Sequence, residues 1–220
     1  MQNMIKKLLK LRLKVTGFSR EDNMINYKVI NQIKDYAKKN NVPIMSDSGI
    51  KYLIEFIREN NIKKILEIGT AIGYSAIMMC SVDSSITVTT IERDEKRYLE
   101  AIKNIKRMNM EDRIDPMYKD AFDVNLSDKF DLIFIDAAKA QNTRFFEKFE
   151  SNLSNDGIII TDNMNFHGLV YKDAEEIESR NLRQLVRKIK SYKVFLEKND
   201  KYNTTFIDVG DGIAISRKVD

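Results

Sequence analysis

At 220 residues and 43% hydrophobic content, the chain suits one domain with a full core. Its single cysteine, Cys80, excludes an internal disulfide and suits a reducing cytoplasm, where the protein is expected to reside. The net charge of +4 permits an anionic partner without demanding one. No secretory leader and no apolar run of about eighteen residues is found, so no membrane partner is expected.

In chain order, "MIKKLLKLRLKV" opens as a basic helix with Met4, Leu8, Leu11 and Val15 on one side. "NYKVINQIKDYAKKN" predicts a second helix ending near Asn40-Asn41. "SDSGIKYLIEFIREN" predicts a third, capped by Ser46 or Asp47. Residues 1–45 are thus expected to form a helical cap on a core of 46–220, within one domain of 1–220. Strand-like and helical runs then alternate: "KKILEIG", "YSAIMMCSV", "ITVTTIE", "RDEKRYLEAIKNIKRM", "RIDPMY", "FDLIFID", "NTRFFEKFESNL", "GIIITDN". Nearly continuous apolar strands predict a parallel sheet covered on both faces, hence a doubly wound α/β fold. A helix is expected over about 173–191. "YKVFLEK", "YNTTFIDVG" and "GIAISRK" follow as strands with no helix between them. "VGDGIA" is a hairpin turn, so the sheet should end antiparallel.

Ligands of such a sheet bind at the carboxyl ends of its strands. Asp136 and the Asp162-Asn163 pair stand at two such ends, and Glu92 at a third. In "LEIGTAIGYS", Gly69 and Gly73 lie four apart between strand and helix. This is neither the dinucleotide fingerprint nor a phosphate loop. Alone, it is an ordinary tight turn, and Glu92 alone a solvated acid. In order, strand, glycine turn, helix, strand and acid point to an adenosyl ligand, with Glu92 accepting from ribose hydroxyls. The glycine spacing favours S-adenosylmethionine over NAD. Two carboxylates and an amide oxygen are hard donors, suited to Mg²⁺ or another hard divalent cation. Lys139, three residues past Asp136, can point back at them as a base or as a salt-bridge partner.

"ILEIGTAIGYSAIMM", "TIERDEKRYLEAIKNI", "FDLIFIDAAKAQ" and "GIIITDNMNFHGLV" resemble, in order, the motifs of the metal-dependent, catechol-type class I O-methyltransferases. The resemblance covers roughly residues 40–217. It implies a Rossmann-like, mostly parallel seven-stranded sheet. It also implies metal ligands Asp136, Asp162 and Asn163, and Lys139 near the substrate hydroxyl. The methyl donor is implied to lie on Met45, Glu67, Gly69, Ser75, Glu92, the Asp120-Ala121 pair and Asp136. "FFEKFESNLSNDGIIITDN" and "VGDGIAIS" look most like the bacterial tRNA 5-hydroxyuridine methyltransferases, which implies the wobble position of a tRNA anticodon as substrate. Two departures stand out: Asn142 where catechol-type members often carry Tyr, and Phe166 where they often carry Trp.

A 5-hydroxyuracil ring and a catechol both offer two adjacent oxygens, so one metal site could serve either. For tRNA, a basic surface should flank the crevice. Lys6, Lys7, Lys10, Arg12, Lys14 and Arg20 are candidates, as are Arg180, Arg183, Arg187 and Lys188, although Glu175, Glu176 and Glu178 interrupt the second group. Such runs are more often solvated helix faces. The apolar side of the first helix needs a partner, and a second copy, giving a homodimer, would supply one. His167, the only histidine, reads as a polar loop residue. Small catechol-like or caffeoyl-type acceptors are the alternative, and a non-catalytic adenosyl-binding protein the second.

Overall fold

The computed structural model describes residues 26–219. The basic helix expected around Met4–Val15, and Lys6, Lys7, Lys10, Arg12, Lys14 and Arg20, lie outside the described residues. Helices α1 (Tyr27–Lys39) and α2 (Asp47–Glu59) come first. Asn26 caps α1 by accepting from the Val29 amide. Ser46 caps α2 by accepting from the Gly49 amide. Then β1 (Lys64–Ile68), α3 (Tyr74–Cys80), β2 (Thr87–Glu92), α4 (Glu95–Arg107), β3 (Ile114–Tyr118), β4 (Phe130–Ile135), α5 (Asn142–Phe149) and β5 (Leu153–Asp162) alternate. The chain closes with α6 (Arg180–Lys198) and the hairpin β6 (Tyr202–Ile207) to β7 (Ile213–Lys218).

The seven strands form one sheet in the order β3-β2-β1-β4-β5-β7-β6. The first five are parallel, and β7 runs antiparallel to both neighbours. This is the doubly wound architecture expected, with its antiparallel end. Alternate strand residues serve opposite faces. Ile65, Phe134 and Ile160 pack with Ile33, Leu53 and Ile77 from α1, α2 and α3. Leu66, Ile133 and Ile159 pack with Phe146, Phe149 and Tyr192 from α5 and α6. Burial on both faces is why these strands read as unbroken apolar runs.

One expected strand is helical. "YKVFLEK" forms the last two turns of α6, because Val186, Ile189, Tyr192 and Leu196 recur at helical spacing and are all buried. The helix also starts later than expected, at Arg180 after the Ser179 cap. Residues 173–179 instead contain a short 3₁₀ turn, Ala174–Glu176, closed by a capping box between Asp173 and Glu176. Cys80 is fully buried, and its burial pushes the thiol up to about 11, which fits a packing role. Among the described residues, no helix is long and apolar enough to cross a membrane.

Candidate active site

Strand order reverses between β1 and β4, so the loops after them part and leave a crevice. A cavity of about 660 Å³ opens there. Of the residues implied to hold the donor, Met45, Gly69, Glu92, Asp120, Ala121 and Asp136 line it. Asp162, Asn163 and Lys139 line it too.

The wall beside β1 and β2 is built largely from backbone. Gly69 follows β1 with φ of +105°, and its amide donates to the Ile91 carbonyl at 3.0 Å. Gly73 holds φ of +81° and starts α3. The Glu92 carboxylate closes this turn: Oε2 accepts from the Ala71 amide and Oε1 from the Asp94 amide, each at 2.8 Å. Asp120 accepts from the Phe122 amide at 2.9 Å and faces Arg93 at 3.3 Å. The Phe122 amide, then Arg93, hold its carboxyl below the usual range. Glu67 and Ser75 do not reach the cavity. Glu67 is fully buried behind it and accepts from the Ser75 and Thr90 hydroxyls, each at 2.5 Å. Burial pushes its carboxyl up to about 7, although both hydroxyls pull it down.

Asp136 and Asp162 end neighbouring strands, and Asn163 bridges them. Its Nδ2 donates to Asp162 Oδ2 at 2.7 Å and to Asp136 Oδ1 at 3.4 Å. Asn163 sits in the left-handed region, φ 65°, which turns its side chain inward at the strand end. Burial, then the Asp162 charge, raises the Asp136 carboxyl well above the carboxylate range. Burial likewise raises Asp162. Lys139 Nζ stands 3.9 Å from Asp136 Oδ1, at the start of a 3₁₀ turn, Lys139–Gln141.

Two buried carboxylates side by side favour a compensating cation. Rotating the Asn163 amide by 180° exchanges its nitrogen for its oxygen and gives three hard oxygen donors around one point. Among the described residues, no group of three His, Cys, Asp or Glu side chains is arranged to hold a metal. The set here instead counts an amide as its third donor.

Lining residues that escaped the sequence reading include Arg93, Arg97, Lys119, Phe145, Tyr171 and Asp211. Tyr171, 71% exposed, is the aromatic ring at the mouth, whereas Phe166 does not line the cavity. Asn142 turns inward and is buried. Arg183 donates to the carbonyls of Ile177 and Glu178, so it holds the start of α6 instead of facing solvent freely.

The model of the O-methyltransferase family matches residues 19–219. The chain is 29% identical over 167 residues to a catechol O-methyltransferase of Niastella koreensis, covering 70% of this chain and 72% of that protein. It is 38% identical to a crystal structure of a candidate caffeoyl-CoA O-methyltransferase from Staphylococcus aureus, with a TM-score of 0.82 over 97% of this chain and 98% of that one. An O-methyltransferase from Bacillus cereus in complex with S-adenosylhomocysteine shares the fold at 24% identity and TM-score 0.74, covering 96% and 97% of the two chains.

Proposed function

The chain belongs to the O-methyltransferase family and transfers a methyl group from S-adenosylmethionine to an oxygen, and we propose that its acceptor presents two adjacent oxygens to a hard divalent cation. One observation carries this reading: Asp136, Asp162 and Asn163 converge in the crevice that Glu92 and Gly69 also line. The donor supplies an activated methyl on sulfonium sulfur, and the acceptor oxygen attacks it as its proton leaves. Glu92 would accept from the ribose, and the Asp120-Ala121 turn would flank the adenine. Mg²⁺ on Asp136, Asp162 and Asn163 would supply Lewis acidity that lowers the pKa of an acceptor oxygen. Lys139 Nζ stands 3.9 Å from Asp136 Oδ1 in the same cavity, and only in its neutral amine form would it receive that proton. Phe145, whose ring stacks on Phe122 with centroids 4.9 Å apart, lines one side of the cavity.

The named relatives favour a small catechol-type or caffeoyl-type acceptor, and we take that as the first substrate class. A second class is 5-hydroxyuridine at a tRNA wobble position. Two observations favour it: Arg93, Arg97 and Lys119 line the same cavity, and the chain has no Trp to clamp a small ring. An anticodon base is unstacked and could enter without duplex melting. The homodimer and cytoplasmic location expected from the sequence belong to the same proposal.

The test uses purified chain, S-adenosylmethionine and Mg²⁺, with catechol or hydroxyuridine-containing tRNA as acceptor. Methylation of either, lost on exhaustive chelation and restored by Mg²⁺, is the expected result. Full activity after chelation would refute the metal reading. Methylation of tRNA alone would overturn the first substrate class in favour of the second.

A further inference from the structure

The loop after β5 and the turn between β6 and β7 form a latched unit of which the methyl-transfer reading uses only Asn163. Asn163, Phe166 and His167 hold φ of 65°, 42° and 54°, and Gly168 follows at 76°. So many left-handed residues together are strained and persist only where neighbours hold them. The turn does so. Met164 and Asn165 amides donate to the carbonyls of Gly212 and Asp211, at 2.9 and 2.7 Å. Asn165 Nδ2 donates to Asp208 Oδ1 at 2.7 Å, and the Tyr171 hydroxyl donates to Asn165 Oδ1 at 2.8 Å. The His167 amide donates to Asp211 Oδ1 at 2.5 Å.

The result is a specific presentation of one side chain. The second oxygen of Asp211, Oδ2, is buried and accepts no hydrogen bond. Nδ1 of His167 stands 3.6 Å from it. The imidazole is 77% exposed and lines the cavity that holds the carboxylate cluster. An exposed ring adds little to folding, yet the backbone is bent to present it.

We propose that His167, oriented by Asp211, is an acceptor-binding residue: Nδ1–H faces Asp211 Oδ2, and the Nε2 lone pair faces the cavity to accept a hydrogen bond from an acceptor hydroxyl. A neutral imidazole has one donor and one acceptor nitrogen, and the partner of one nitrogen sets the role of the other. The site then grips acceptors carrying a free hydroxyl and discriminates against ethers. Asp211 is the positioning residue. The acceptor role rests on the methyl-transfer reading; the tautomer does not.

His167 is the only histidine, so imidazole nitrogen resonances of ¹⁵N-labelled protein report on it without assignment. At a pH of about 8.5, above the ordinary imidazole range, the free protein should show the Nδ1–H tautomer. In Asp211→Asn the amide NH₂ can face Nδ1 as a donor, so the tautomer should switch to Nε2–H. Adding catechol to protein with Mg²⁺ and S-adenosylhomocysteine should move the Nε2 resonance. His167→Ala should raise the KM for catechol about fivefold to tenfold, the loss of one hydrogen bond, with S-adenosylhomocysteine affinity unchanged. His167→Gln should recover part of it. An Nε2–H tautomer in the free protein would overturn the proposal. So would an unmoved resonance together with an unchanged KM in His167→Ala. Absence of any methyl transfer, with the tautomer as stated, would instead overturn the functional reading.

Discussion

Gly69 and Asp136 meet backbone to backbone where β1 and β4 end, with no room for a side chain between them. A Cβ on Gly69 would lie 2.8 Å from the Asp136 carbonyl carbon and 3.0 Å from Ala137 Cα, and φ is +105°. The missing side chain of Gly69 makes room for the neighbouring strand end. It thereby sets the glycine turn after β1 against the carboxylate cluster.

Gly69→Ala is therefore expected to cost about 3 kcal/mol or more, from backbone strain plus overpacking against rigid atoms. Denaturant unfolding measures it. A loss below about 0.5 kcal/mol would show that the two strand ends can part freely.

Glu67 gives a pH signature. Its folded-state pKa is raised from 4.5 to about 7, chiefly by burial. The folded chain then holds a proton that the unfolded chain has lost between those values. Stability falls as pH rises through that window, by about 3 kcal/mol at about 1.4 kcal/mol per unit. Glu67→Gln, whose amide can still bond the Ser75 and Thr90 hydroxyls, should remove this part of the slope and be the more stable form at pH 8. Parallel stability curves for the two proteins between pH 5 and 8 would refute it.

The strands were readable because burial on both faces leaves an unmistakable apolar run: Leu132–Ile135 and Ile158–Ile160 are all nearly inaccessible. Their ends were readable because a buried strand that stops on Asp136 or Asp162 needs a reason for the acid. The end of α6 was misread because Tyr192, Val194 and Phe195 are strand-favouring types, and only the spacing of buried residues identifies the helix. Asp211 and Tyr171 were not readable as site residues. They come from a turn and a loop that the antiparallel return of β7 carries back to β5, a contact with no local sequence signal.

Glu92 should control donor affinity. Its two oxygens already accept from the Ala71 and Asp94 amides, so the carboxylate is fixed before any ligand arrives. Glu92→Gln keeps the size but removes the charge and turns one oxygen into a donor facing an amide. Loss of a charge-assisted hydrogen bond costs about 1.5 to 3 kcal/mol, so S-adenosylhomocysteine should bind at least about tenfold more weakly in calorimetry. Unchanged affinity would exclude Glu92 from the ribose.

Asp162 tests the metal without relying on turnover. Burial raises both the Asp136 and the Asp162 carboxyl, the Asp162 charge adds to the rise at Asp136, and Lys139, 3.9 Å from Asp136, offsets it only partly. Asp162→Asn relieves that repulsion, so the metal-free variant should melt at or above the wild-type temperature. The same change removes a charged ligand, so the site should lose its affinity for Mg²⁺ and methyl transfer should cease. A ligand that binds only the folded state raises the melting temperature with its concentration. Wild type should therefore gain melting temperature as Mg²⁺ is added, and Asp162→Asn should not. Equal gains in both proteins would place the cation elsewhere, and a variant that melts well below wild type in EDTA would mean that Asp162 is needed for the fold.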